Sequence, residues 1–201
     1  MLAEQLQVLS ATESPGAIHL DRRVSSVMVR HAAFYMTAVN RVTVVFVSKR
    51  NSLRSVLAQA CLQHLGDDRF AVVSCGWPGH IADRVHPAAL GALAGASMPP
   101  PAMIPAAWSH FQARHLARAS FIITLDAETH GQEPSWPGQP DSALWEMPDA
   151  AALKEPQAAA NGAVQILYSL RRRIELFINL PLSKGDRASL RDDIRDMGKM
   201  G

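Results

Sequence analysis

The sequence predicts an α/β fold, a parallel sheet covered by helices on both sides, and three observations predict it. Short runs of β-branched and aromatic residues, Val42–Val47, Phe70–Ser74 and Phe121–Leu125, are nearly all apolar, as strands buried on two faces require. Segments with helical spacing separate them, so strands and helices alternate. The first run stops abruptly in a polar stretch, Ser48–Ser55, from which a helix sets out. Right-handed crossovers leave few topologies. They also put the loop after the first strand where open sheets bind ligands.

The elements follow in order. Met1–Asn40 reads as a helical extension in front of the domain, with an opening at Leu2–Leu9, a turn at Ser14–Gly16 and a helix-like Ser25–Val39. It caps the domain, mediates a homodimer, or is partly disordered. The domain proper is 41–201. Leu53–Leu65 has apolar residues at Leu53, Val56, Leu57, Ala60, Cys61 and Leu65, a helical pattern closed by Gly66. Pro87–Ala94 is a helix with proline in its first turn, and Met98–Pro105 is a proline-rich break. Ala107–Ala119 reads as a helix and Ala143–Met147 as the fourth strand. A long helix, Gln157–Asn179, carries Val164, Leu167, Leu170, Ile174 and Phe177 on one face, and Ser183–Met197 is a charged tail helix.

With 201 residues, 48% of them hydrophobic, the chain can bury a substantial single core. The net charge of +2 selects no partner, but its distribution is uneven. Arg22–Gly66 holds seven Lys or Arg and no acid, whereas Asp126–Glu155 holds seven acids against Lys154. These blocks are either two solvated faces or a basic face that focuses an anion on Ser48–Arg54. Little aromatic interleaving argues against nucleic acid. Cys61 and Cys75 form no C-x-x-C, which suits a reducing cytoplasm. No run reaches the roughly 20 apolar residues of a membrane span. Arg30 and His31 interrupt Val24–Val39, so it is not read as a signal segment. His110 and His115 are five apart and no H-E-x-x-H occurs, so no metal is expected. No nucleotide loop is present, so no cofactor is expected. Arg171–Arg173 reads as a solvent-facing helix surface, and Trp136 and Trp145 as structural.

A strand, a tight loop and a helix N-terminus make an anion site, because free N–H groups and the helix dipole converge there. Ser48 ends the strand and Arg54 follows six residues later. This spacing resembles the C-x5-R-[ST] loop of the low-molecular-weight protein tyrosine phosphatases and of the arsenate reductases sharing their fold. Their loop reads V-C-x-G-N-S-x-R-S; Asn51, Ser52, Arg54 and Ser55 match, while Ser48 replaces cysteine and Arg50 replaces glycine. Ser74-Cys75-Gly76 with Pro78 resembles S-A-G-x-x-P, and Val85–Leu90 resembles V-x-P-x-A-L. Trp136-Pro137-Gly138-Gln139-Pro140 with Leu144-Trp145, then Leu170–Leu182 and Asp186–Leu190, are similar to the arsenate reductase branch.

The resemblance implies a three-layer sandwich with a four-stranded parallel sheet in low-molecular-weight phosphatase (flavodoxin-like) topology. It implies that the position of Ser48 is the nucleophile's and that Arg54 binds the oxyanion. Asp149 matches the aspartate that protonates the leaving oxygen, although the family's D-P pair has become Pro148-Asp149. Ser55 matches the hydroxyl that steadies a thiolate. The anion cradle is then Lys49, Arg50, Asn51, Ser52, Leu53, Arg54 and Ser55. Arg50, standing for a glycine whose φ is often positive, is expected to strain or reshape the loop. Asp126 occupies the place of one redox cysteine of thioredoxin-coupled reductases, and the second falls near Glu133 or Pro134; that route is therefore closed.

A serine hydroxyl ionises far less readily than a thiol and needs a general base, which this loop does not offer. The expectation is a cytoplasmic pseudoenzyme, a pseudophosphatase that binds phosphate, a similar oxyanion or a phosphorylated protein without turning it over. The alternative is an active phosphatase or arsenate reductase whose nucleophilic cysteine was substituted to give Ser48.

Overall fold

A computed structural model describes residues 41–111, 119–182 and 187–200; the expected extension, 1–40, lies outside them. Four strands form the sheet: β1 (Val42–Ser48), β2 (Phe70–Gly76), β3 (Phe121–Thr124) and β4 (Asp141–Leu144), in spatial order β2-β1-β3-β4. All pairings are parallel, with Val42 opposite Phe70, Val44 opposite Phe121 and Phe121 opposite Asp141. The two central strands carry the most apolar sequence, as burial on both faces demands.

The helices are α1 (Arg54–Leu65), α2 (Pro87–Gly95), a single turn α3 (Ala127–His130), α4 (Pro156–Phe177) and α5 (Arg187–Gly198). One sheet face, built from Val44, Phe46, Phe121 and Ile123, packs on Leu57, Cys61, Leu93, Leu170, Ile174 and Phe177 of the helices. Aromatic edges hold α4 to the sheet: Phe177 meets Phe121 at 5.5 Å and Trp145 at 6.1 Å, both nearly perpendicular. The other face, with Val45, Val47, Cys75 and Ile122, is covered among the described residues by Trp108, Phe111 and Trp136. Within the expected helix Ala107–Ala119, Trp108–His110 is a short 3-10 turn, and 112–118 lie outside the described residues.

Other expectations shift for identifiable reasons. The fourth strand lies at Asp141–Leu144 and not at the expected Ala143–Met147, because pairing with β3 starts at Asp141. Trp145 and Met147 still donate N–H to Thr124 and Leu125 carbonyls, at 2.8 and 3.1 Å, as the chain leaves the sheet. Val164 is exposed, and Ala163 and Ile166 take its place on the buried face of α4. Gly66 closes α1 without a left-handed φ; a Cβ there would lie 2.6 Å from the Phe70 ring and 2.7 Å from the Leu62 carbonyl. The tail helix is described over Arg187–Gly198; 183–186 of the expected span lie outside the described residues.

Arg173 corrects the reading of Arg171–Arg173 as a solvent face, since it is only 4% exposed. It donates to the carbonyls of Met197 (2.8 Å) and Met200 at the end of α5, and to Ser169 Oγ. A guanidinium on the last carbonyls of a helix satisfies orphan acceptors and meets the negative end of the dipole.

Candidate functional site

The loop after β1 takes its shape from its neighbours. The N–H groups of Trp77, Ala82 and His86 donate to the carbonyls of Lys49 (3.1 Å), Arg50 (3.1 Å) and Ser52 (2.9 Å). Those three carbonyls therefore turn toward the 77–86 segment. In a planar trans peptide the N–H points opposite to its C=O, so the N–H groups of Arg50, Asn51 and Leu53 turn the other way. The Asn51 N–H has a long bond, 3.3 Å, to the Ser48 carbonyl. Among the described residues, no acceptor meets the N–H of Arg50 or Leu53. Successive N–H groups of this kind at the start of a helix form an anion-binding concavity.

The positive φ in the loop is at Asn51, 50°, and Arg50 has none. The strain expected at Arg50 thus falls one residue later, on a residue type that tolerates it. Asn51 is fully buried. Its Nδ2 donates to Ser55 Oγ (3.0 Å) and Ser74 Oγ (2.9 Å), and its Oδ1 accepts the Ala106 N–H at 2.9 Å. Ser74 Oγ donates in turn to Gln59 Oε1 at 2.7 Å. Ser48 is 2% exposed, and its Oγ donates to Ser55 Oγ at 2.8 Å. Among the described residues no carboxylate or imidazole accepts the Ser48 proton.

Arg54 opens α1 and is itself buried, 6% exposed. Its Nη1 donates to the Met147 carbonyl at 3.2 Å, and its Nη2 lies 3.3 Å from Asp126 Oδ2 and 3.8 Å from Asp149 Oδ1. Asp126 Oδ2 also accepts the Lys49 N–H at 3.0 Å, and Lys49 Nζ pairs with Glu128 at 2.8 Å. Among the described residues, Lys49 and Arg54 of the basic block are thus paired at the loop with Glu128, Asp126 and Asp149 of the acidic block.

The structure gathers Ser48, Lys49, Arg50, Asn51, Ser52, Leu53, Arg54 and Ser55 in one turn of chain and brings Asp149 to Arg54. Ser52 and Leu53 are buried, while Arg50 is exposed. Sequence reasoning misses the part played by Asp126, although the topology carries its signal. Val47 of β1 is opposite Thr124 of β3, so the residues just beyond these strand ends, Lys49 and Asp126, are neighbours. It misses Glu133 too. The Glu133 carboxylate accepts from Thr124 Oγ1, Trp136 Nε1 (2.7 Å) and Ser142 Oγ (3.2 Å) and bonds His130 Nδ1 (2.7 Å), tying down the segment after α3. Neither cysteine can substitute for a loop nucleophile. Both are buried and free, and burial pushes Cys61 up to about 12 and Cys75 higher still, with Glu133 adding to the latter. Among the described residues no three His, Cys, Asp or Glu side chains cluster to hold a metal, and no helix is long and apolar enough to cross a membrane.

The fold that carries this site is similar to known structures. An arsenate reductase in the oxidized state superposes with a TM-score of 0.53 at 26% identity, over 68% of this chain and 95% of that one. The arsenate reductase from Archaeoglobus fulgidus gives 0.52 at 20% identity, over 68% and 99%. A protein tyrosine phosphatase gives 0.53 at 17% identity, over 68% and 95%. The last two identities show the shared fold alone. No curated protein sequence matches. The family described as low molecular weight phosphotyrosine protein phosphatase matches residues 43–143, from β1 through the loop to β4. Spanning half of the sequence on the same sheet and loop, that match shows that the chain belongs to the low molecular weight phosphotyrosine protein phosphatase family.

Proposed function

We propose that this protein is a catalytically impaired member of its family, which binds phosphate or a similar oxyanion, free or on a phosphorylated protein, through Ser48–Arg54. Arg54 supplies a fixed guanidinium, the N–H groups of Arg50 and Leu53 supply neutral donors, and the twelve-residue α1 directs its positive end at the same point. Asp149, the match to the family's leaving-group acid, lies 3.8 Å from Arg54, which supports the same reading. What is missing is an attacking group.

The observation that carries this reading is the hydrogen bond from Ser48 Oγ to Ser55 Oγ. The serine proton goes to another hydroxyl and not to a base, so nothing turns Ser48 into an alkoxide. A thiol at the same place would ionise on its own, as its lower pKa allows. Losing an activated nucleophile lowers rate by roughly four orders of magnitude or more.

Hydrolysis of a generic aryl phosphate by the protein and by Ser48→Cys tests the reading. No turnover is expected from the protein as it stands, and measurable turnover from Ser48→Cys that disappears in Ser48→Cys/Arg54→Ala. Hydrolysis by the unsubstituted protein that depends on Arg54 would refute it. Saturable phosphate binding that is lost in Arg54→Ala and weakens only modestly with salt is the companion expectation.

A further inference from the structure

Asp126 lies in a place that an anion-binding loop would keep for its ligand. Its Oδ2 is 3.0 Å from the Lys49 N–H, the first donor after β1, and 3.3 Å from Nη2 of Arg54, at the far end of the loop. One carboxylate oxygen thus bridges the two ends of the cradle. Its other oxygen accepts the Thr129 N–H at 2.9 Å, which caps α3 and fixes the carboxylate's direction. The side chain is nearly buried, and Glu128, two residues on, holds the Lys49 ammonium at 2.8 Å.

We propose that Asp126 is a tethered internal anion, which an external oxyanion must displace from the Lys49 N–H and Arg54 before the loop accepts it. This rests on the anion-binding role of Ser48–Arg54. It makes Asp126 the residue that determines which anions enter. A free carboxylate offers no chemistry that Asp126 lacks, and it loses translational freedom that the tethered group has already lost. A tetrahedral dianion offers further oxygens, which the N–H groups of Arg50 and Leu53 can take and a single carboxylate cannot. The loop therefore selects tetrahedral oxyanions over carboxylates, and its apparent affinity is reduced by the fraction of molecules in which Asp126 is seated.

Titration of the full chain with inorganic phosphate and with acetate, followed by calorimetry and by the Lys49 amide resonance, tests the proposal. The set is Asp126→Asn, Asp126→Ser, Glu128→Gln and Arg54→Ala. Asn and Ser both cap helices, so α3 and the fold are preserved in the first two. The expected result is phosphate binding at least roughly tenfold tighter in Asp126→Asn and Asp126→Ser, together with acetate binding that the parent lacks. Glu128→Gln removes an equal charge two residues away but frees neither the Lys49 N–H nor Arg54, only the partly exposed Lys49 ammonium, so it should shift affinity much less. Equal or weaker phosphate binding in both Asp126 variants, with Arg54 still required, would overturn the competition while leaving the anion site standing. An equal gain in Glu128→Gln would reduce Asp126 to its charge, which also overturns it. Absence of phosphate binding in every variant would remove the anion-binding role itself, and this proposal with it.

Discussion

Asn51→Ala is the change that most directly tests how the loop is held. Three side-chain bonds are lost together, to Ser55 Oγ, to Ser74 Oγ and from the Ala106 N–H. The two hydroxyls keep other partners, Ser48 and Gln59, so each loses about 1 kcal/mol. The Ala106 N–H has no replacement acceptor among the described residues, at about 1–2 kcal/mol. Alanine at φ 50° adds about 1–2 kcal/mol of backbone strain. Allowing for non-additivity, the expected loss is roughly 3–5 kcal/mol, a large share of the roughly 5–15 kcal/mol of a domain. Asn51→Gly loses the same bonds without the strain and should be about 1 kcal/mol more stable than Asn51→Ala. Urea unfolding of the three proteins, with equal m-values, gives both differences. A loss under 1 kcal/mol in Asn51→Ala, or no advantage for glycine, would show that neither the Asn51 bonds nor its left-handed backbone holds the loop.

Four further outcomes are expected. Arg173→Ala leaves the Met197 and Met200 carbonyls without their donor, so it should cost about 2–4 kcal/mol and raise hydrogen exchange across Arg187–Gly198 before the rest of the chain. Glu133→Gln puts an amide where only acceptors are wanted; a drop of about 2 kcal/mol with a blue- or red-shifted Trp136 emission is the readout. Thr129 Oγ1 is buried with no hydrogen-bond partner among the described residues, so Thr129→Val should be neutral or stabilising in a thermal melt. Cys61 is raised by burial from 9.0 to about 12, so its protonated form is favoured in the fold. Stability is then complete below 9.0 and falls as pH climbs from 9.0 toward 12, which unfolding curves in that window measure and Cys61→Ala should flatten.

The parts of the fold legible in the sequence are those set by local pattern. Val42–Val47 and Phe121–Leu125 are apolar but for one threonine each because they are the central strands, and Pro87 opens α2 where a missing N–H costs nothing. The failures are long-range. Ala143–Met147 has the more apolar sequence, yet the strand is Asp141–Leu144, since its register is set by Phe121 across the ladder and not by its own composition. Arg173 ends a run of three arginines read together as a solvent face, although its spacing from Ile166, Leu170 and Phe177 sets it at the edge of the buried face. Only the arrival of α5, from residues twenty-four further on, gives its guanidinium carbonyls to meet.

The same division runs through the site. Everything between Ser48 and Ser55 is contiguous, so its spacing can be read directly. The acidic block is visible as composition, but as composition it has no address. Parallel topology supplies one: strand ends of β1 and β3 lie side by side, which sets Asp126 against Lys49, and the chain leaving β4 returns past Arg54 with Met147 and Asp149. Counting Lys49 and Arg54 as unopposed positive charge therefore overestimates the pull on an anion, because three carboxylates are already seated within 4 Å of them. The loop's attraction for a ligand then depends less on net charge than on its directed donors, the N–H groups of Arg50 and Leu53 and the guanidinium. A salt titration separates the two. If directed donors dominate, phosphate affinity should fall only modestly with ionic strength and vanish in Arg54→Ala; a steep salt dependence retained without Arg54 would show that diffuse charge is the attraction after all.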